Sequence, residues 1–400
     1  MKVDAYSILI ILSVLVVLSY IFNYLSSLLK IPSVLLLITS GIGLNYAASQ
    51  LHMQLPPTKT LLEILGITGL IFIVLEASLD LSIQRSKLPL IGKAFMSALI
   101  LLSSSAGLIA LLFSTYYNTS FQQAVIHAIP LSVISSAIAI PSVQRMTEDK
   151  KEFIVYESTF SDILGIIAFN YFLASYDSGL AALFSFSWDI ILILFISVIS
   201  TAFLVFLLSH ATTHIRFFLT FAILILTYSA AKHFHLPSLI LVLCFGLVLN
   251  NFHRINFPFI HKILPFTRLT DVSKELKLMT AETAFIIRTF FFLLFGYSIN
   301  LSLLVSSEVL VIGISIIAIT LLLRFIFLRY FLKINSAPLT LIAPRGLITI
   351  LLFYSIPDDQ KLQGLSEGVL FIVIVFTGVM MTIGLLLNKN SPAEKAEDVI

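Results

Sequence analysis

Glu157, Ser158, Ser161 and Asp162 fall within six residues of one another in the stretch ESTFSDILG, flanked by EFIVY and IIAFNYFLAS. Two carboxylates in so apolar a run are costly. An ionisable side chain at membrane depth costs on the order of 3 kcal/mol on insertion scales. Such groups persist because they pair or because they work. Glu157 and Ser161 are four apart and share one helix face. Asp162 sits about 100° round from Ser161 and addresses a neighbouring surface. A buried carboxylate can hold a hard cation when ionised and a proton when neutral.

Glu157 needs a cation or a proton of its own. The strong cation deep in the second half of the chain is Arg345, in LIAPRGLITILLF, and Arg keeps its charge in proteins. The expectation is a Glu157–Arg345 ion pair across helices. Other charges have plainer readings. Asp80 lies beside QRSK, at a helix end in the interface. Arg324 is within two turns of a helix end and can snorkel. Glu282 and Arg288 flank a helix start before TFFFLLFGYSIN, as a structural pair or as guards of an ion path; Glu76 is a further candidate for that path.

The elements that must carry these residues are membrane helices. Of 400 residues, 58% are hydrophobic, 11% are charged and 34 are Phe. Soluble domains carry roughly 25% charged residues. The roughly ten-residue alternating segments of a membrane barrel are absent. The expected fold is an all-α polytopic membrane protein with about thirteen transmembrane helices. They lie near 5–29, 32–49, 60–80, 88–115, 122–146, 152–176, 182–209, 214–232, 236–252, 280–301, 305–333, 337–357 and 366–388. The first is too long for a signal-peptide core and is read as a retained helix. This gives a first transmembrane half over 1–252, a cytoplasmic linker over 253–279, a second half over 280–388 and a short cytoplasmic tail over 389–400. Lys and Arg crowd the loops after odd-numbered helices and the tail, with only Lys2, Lys59, Lys232 and Lys361 opposite. That bias puts the N-terminus outside and the C-terminus inside; the expected location is the plasma (inner) membrane. The single Cys244 excludes an internal disulfide and argues against a Cys-based metal site. The eight His show no metal-ligand spacing, and the net charge of +3 is spread over loops, which suggests no nucleic-acid partner. No cofactor is called for.

Two helices carry interruptions. The fifth reads HAIPLSVISSAIAIPSVQRM, where Pro130 and Pro141 bracket Ser135 and Ser136. The twelfth reads SAPLTLIAPRGLITILLF, where Pro344 and Gly346 bracket Arg345. Proline removes a backbone donor and frees the carbonyl one turn earlier. Such breaks survive in lipid only where protein or a watery cavity covers them. One break in each half points to a secondary transporter built from inverted repeats, with its cation held near the midplane.

With these residues in place, the chain resembles the monovalent cation:proton antiporters, in their sodium/proton exchanger branch, over nearly its whole length. The family's Glu-Ser-x-x-Asn-Asp signature stands here as Glu157-Ser158-Thr159-Phe160-Ser161-Asp162, and its Arg-Gly pair as Arg345-Gly346. LIFIVLEASLDLSI, with Glu76, resembles the Phe-Glu-Ala-Gly-Leu segment; FFFLLFGYSINLS, with Gly296, resembles a second one. The resemblance implies thirteen helices with two crossing broken helices. It implies Asp162 as the group that binds cation and proton in turn, with Glu157 and Arg345 as a supporting pair. It implies a homodimer in membrane lipid whose core slides against a scaffold. Two positions depart from the pattern. Ser161 replaces Asn, and Ala139-Ile140-Pro141 stands where Thr-Asp-Pro is usual, leaving Ser135 and Ser136, with Ser158, as site oxygens. Ser161 cannot titrate, so the expected exchange is one proton per monovalent cation, electroneutral, with Na+ ahead of K+ or Li+. Rival readings are an organic-solute or anion transporter on the same fold, which Asp162 argues against, and an ion channel, for which no repeated pore loop appears.

Overall fold

The computed structural model describes residues 5–29, 31–50, 58–81, 85–144, 146–175, 181–210, 216–234, 236, 238–251, 266–333 and 337–387. Those residues are helical, joined by short turns, with no strand among them. An apolar chain in hydrocarbon has no water to satisfy its amides, so each span must close its hydrogen bonds within itself. The helices are α1 (Ala5–Leu29), α2 (Ser33–Gln50), α3 (Thr58–Asp80), α4 (Leu88–Tyr116), α5 (Phe121–Ser132), α6 (Ser136–Ser142), α7 (Glu148–Ala174), α8 (Ala181–His210), α9 (Arg216–His233) and α10 (Leu239–Asn251). They continue as α11 (Phe266–Ser298), α12 (Ser307–Ile326), α13 (Ala337–Leu341), α14 (Leu347–Tyr354) and α15 (Glu367–Leu387). Six segments among the described residues are long and apolar enough to cross a membrane: Leu88–Tyr116, Phe121–Ser142, Ile190–Leu207, Ser273–Ser298, Ser307–Phe331 and Glu367–Leu387.

Most expected boundaries hold within a few residues, and two differ. The linker expected over 253–279 is helical from Phe266, because α11 runs unbroken to Ser298; residues 253–265 and the tail 389–400 lie outside the described residues. The interruption in the fifth span falls at Val133–Ser135 and not at its prolines. Pro130 and Pro141 both lie inside helices. The second interruption does fall where expected, at 342–346 between α13 and α14.

The chain forms two compact units. The first takes Met1–Gly66, Pro89–Phe169 and Arg288–Ile400. Within it α2 and the end of α11 cross with backbones nearly touching. A Cβ on Gly41 would lie 2.1 Å from the Leu293 carbonyl, and one on Gly296 would lie 2.2 Å from that of Ile38. Only glycine allows that approach. Beside the crossing the Asn45 amide donates to the Tyr297 carbonyl. At the start of α5, Gln123 Nε2 donates to the Gln360 and Lys361 carbonyls, and buried His127 accepts the Leu362 amide on Nε2 at 3.0 Å. These bonds tie α5 to the turn before α15.

The second unit takes Ile67–Leu88 and Asn170–Ile287. Its helices α8, α9 and α10 pack on one another. Asn250 and Asn251 both donate to the Leu81 carbonyl at 2.9 Å, which closes the open end of α3. Asp80, at the end of α3, pairs with Lys277 at 2.5 Å. The outward side chains of α8, Trp188, Phe195 and Val198 among them, are apolar and exposed, as a lipid-facing helix requires.

Candidate functional site

Three consecutive amides build the site. In an unbroken helix the N–H of Ile134, Ser135 and Ser136 would bond the carbonyls of Pro130, Leu131 and Ser132. Here each turns outward. Ile134 N–H donates to Ser161 Oγ at 2.9 Å, Ser135 N–H to the Pro344 carbonyl at 2.8 Å, and Ser136 N–H to Asp162 Oδ2 at 3.1 Å. The gap between α5 and α6 is therefore held open by α7 and by the gap between α13 and α14. Buried backbone groups need such partners.

The second interruption is satisfied the same way. Arg345 Nε donates to Leu131 O at 2.8 Å, the carbonyl that Ser135 N–H has left. Its NH1 donates to Ala343 O at 3.2 Å, and its own amide to Thr377 Oγ1 at 3.0 Å. Gly346 N–H is 3.3 Å from Thr349 Oγ1. A Cβ at Gly346 would lie 2.6 Å from Ser135 Oγ. The two breaks thus cross in contact, and Gly346 is glycine because Ser135 is there. Pro141 has a role other than breaking the helix: it cannot donate to the Ala137 carbonyl, and Arg288 NH1 takes that carbonyl at 2.8 Å.

Glu157 is fully buried and bound twice over by Arg324, NH1 to Oε1 at 2.8 Å and NH2 to Oε2 at 2.7 Å. Ser97 Oγ on α4 donates to Oε1 as well, and Arg324 Nε donates to Leu339 O at 3.0 Å. The expected Glu157–Arg345 pair is corrected: the fork that meets the carboxylate belongs to Arg324. Arg324 does not snorkel; it is 1% exposed. Its helix runs on through a π-helical turn, Phe327–Phe331, about as far as expected, but the side chain turns inward to Glu157 and the Leu339 carbonyl and not toward the helix end. Arg345 is drawn off by the open carbonyls instead.

At the crossing two buried oxygens, Asp162 Oδ1 and Ser135 Oγ, have no hydrogen-bond partner among the described residues. Asp162 is 3% exposed. Orphaned buried polar atoms each cost about 1–3 kcal/mol, so each needs a water, a proton or an ion as its partner. Among the described residues no three His, Cys, Asp or Glu side chains gather as a metal site. Asp162 offers a carboxylate oxygen and Ser135 a hydroxyl, hard oxygens of the kind that suit an alkali cation.

Of the expected site residues, Asp162, Ser161, Ser135, Ser136, Arg345 and Gly346 meet at the crossing. Ser158 does not take part, since its hydroxyl donates to Ile154 O of its own helix at 2.8 Å. Ala139 and Ile140 are helical in α6, beyond the gap. The residues standing in the gap are Val133, Ile134 and Ser135. Glu76, half-buried, and Glu282, exposed, belong to the second unit. Sequence reasoning missed Ser97, Thr377 and the role of Arg324. Only Arg324 carried a signal, as a charge within an apolar run.

A family model described as the transmembrane region of sodium/hydrogen exchangers matches residues 11–389. Two solved structures of the sodium proton antiporter MjNhaP1 from Methanocaldococcus jannaschii are similar. One, at pH 8, has 19% identity and a TM-score of 0.63, covering 94% of this chain and 97% of that one. The other, from electron microscopy, has 17% identity and a TM-score of 0.65, covering 99% and 98%. A search of curated proteins returns no match.

Proposed function

Because this chain belongs to the sodium/hydrogen exchanger family, whose members are transporters and not enzymes, we propose that it exchanges sodium for protons at Asp162. Cation:proton antiport across a membrane is the activity of the family; the ion, the residues and the stoichiometry are the proposal. The observation that carries it is the buried Asp162 carboxylate, with one oxygen on the Ser136 amide and the other unpartnered. That second oxygen is the one to take a cation or a proton, with Ser135 Oγ as a co-ligand, Ser136 holding the carboxylate by amide and hydroxyl, and the Ser161 hydroxyl holding the Ile134 amide. Occupancy is exclusive, so the two ions move in opposite directions. Glu157, neutralised by Arg324, adds no proton. One titrating carboxylate against one monovalent cation gives a 1:1, electroneutral exchange. The surplus of Lys and Arg on one side supports an outside N-terminus and an inside C-terminus, and the resemblance supports a homodimer in the plasma (inner) membrane.

The test is cation-driven proton movement in proteoliposomes carrying an internal pH dye. External Na+ should alkalinise the lumen of vesicles with an acidic interior. Asp162→Asn should abolish the signal, and clamping the voltage should leave the wild-type rate unchanged. No response to Na+, K+ or Li+ overturns the reading.

A further inference from the structure

The role left for Arg345, once Arg324 holds Glu157, follows from where its guanidinium ends. Helix α5 stops at Ser132 with its last carbonyls open. Such an end carries partial negative charge, and in discontinuous membrane helices it is a place where cations are coordinated. Arg345 Nε lies on the Leu131 carbonyl and NH1 on that of Ala343, one open carbonyl from each break. No carboxylate lies within ion-pair distance of it among the described residues. The residue is 3% exposed, its fork is planar and rigid, and it keeps its charge.

We propose that Arg345 is a tethered cation at the open end of α5, a positioning residue that decides which alkali ion the crossing accepts. This rests on the reading of Asp162 given above. Two effects follow from the geometry. First, the fixed charge occupies the carbonyl end of the crossing, so an arriving cation finds only the Asp162 and Ser135 side. Second, Arg345 to Leu131 and Ser135 to Pro344 are two ties between the same two chain segments, running in opposite senses. Together they fix the spacing between the breaks, and Gly346 against Ser135 allows no slack. Ions that differ only in radius and hydration are told apart by the number and spacing of ligand oxygens. Without Arg345 the spacing loosens and the Leu131 carbonyl becomes a ligand open to a larger ion.

The experiment measures apparent KM for Li+, Na+ and K+ in proteoliposomes for the wild type, Arg345→Lys and Arg345→Gln, with rates normalised to folded transporter. If the wild type moves no alkali cation, the reading of Asp162 fails before Arg345 is tested. If it does, Arg345→Gln should shrink the ratio of KM for K+ to KM for Na+ by about tenfold, whereas Arg345→Lys, which keeps the charge without the fork, should shrink it by less. A merely structural role would lower the maximal rate for all three ions and leave the ratio unchanged, which overturns the inference. A wild type that accepts all three ions equally overturns it as well. Should Arg345→Gln fail to fold, Arg345→Met, of similar length and uncharged, is read in the same way. A changed ion ratio there supports the inference, and an unchanged one overturns it.

Discussion

Arg324 and Glu157 meet side-on, two nitrogens on two oxygens at 2.8 and 2.7 Å, with neither residue more than 1% exposed. They are 167 residues apart in sequence. The pair joins α7 to α12, and Ser97 adds α4. Removing one partner of such a pair leaves a lone buried charge. Arg324→Ala should therefore destabilise the protein by about 3–5 kcal/mol. The double variant Glu157→Ala with Arg324→Ala should cost less than the sum of the singles, since no charge is stranded. Thermal unfolding in detergent checks both. A strictly additive double variant would show that the two residues do not act together.

Asp162→Asn should separate binding from folding. Asparagine can still accept the Ser136 amide, so the gap between α5 and α6 keeps its partner. The melting temperature without added cation should stay within a few degrees of wild type. The stabilisation that Na+ confers on the wild type, RT ln(1 + [L]/Kd) for a ligand of the native state, should vanish. Sodium that stabilises the variant as well as the wild type places the cation elsewhere.

One exclusive site fixes the sign and slope of the pH dependence. Protons compete with the cation, so apparent KM for Na+ should rise as pH falls, with the maximal rate unchanged. On the acid limb the rise should be about tenfold per pH unit, as for one proton displaced per cation. A hundredfold rise per unit would mean two protons and would rule out 1:1 exchange. The measurement is initial rate against Na+ concentration at stepped, symmetrical pH.

Two glycines of one helix should behave oppositely. Gly41 lies against the backbone of α11, and a Cβ there meets Leu293 O at 2.1 Å. Gly41→Ala forces the crossing apart and should cost about 1–3 kcal/mol or more. Gly43 has nothing within 4 Å of its Cβ position. Gly43→Ala should be neutral or stabilising by up to about 1 kcal/mol, the ordinary helix preference of alanine. Melting temperatures of the two variants decide it, and equal effects would sink the account of the crossing.

The helices were legible because hydrocarbon imposes one solution on an apolar chain. Asp162 was legible because a charge at mid-span needs a reason. The partner of Glu157 was not, because distance from a helix end does not say which way a side chain points. Arg324 and Arg345 are equally charged, and the choice between them turns on the Leu131 carbonyl, which is open only because Ser135 has turned its amide to Pro344. The place of the first break was hidden for a related reason. Proline marks where a donor is missing, but three present donors were drawn outward by Ser161, Pro344 and Asp162, and the gap lies where those acceptors are. Gly346 and Pro344 marked the second break correctly, because there the special residues stand in the gap.

The bonds at the crossing also set an order of assembly. Glu157 and Asp162 enter the membrane with the first half of the chain, while Arg324, Pro344, Arg345 and Thr377 belong to its last quarter. At a synthesis rate of roughly 5–20 residues per second, Glu157 waits about 8–30 s for Arg324 to be made. Through that interval its carboxylate has Ser97 but no cation, and the amides of α5 and α6 have Ser161 and Asp162 but not Pro344. A half-made chain therefore holds an incomplete polar centre, and α7 gains its cation only once Arg324 of α12 has been made.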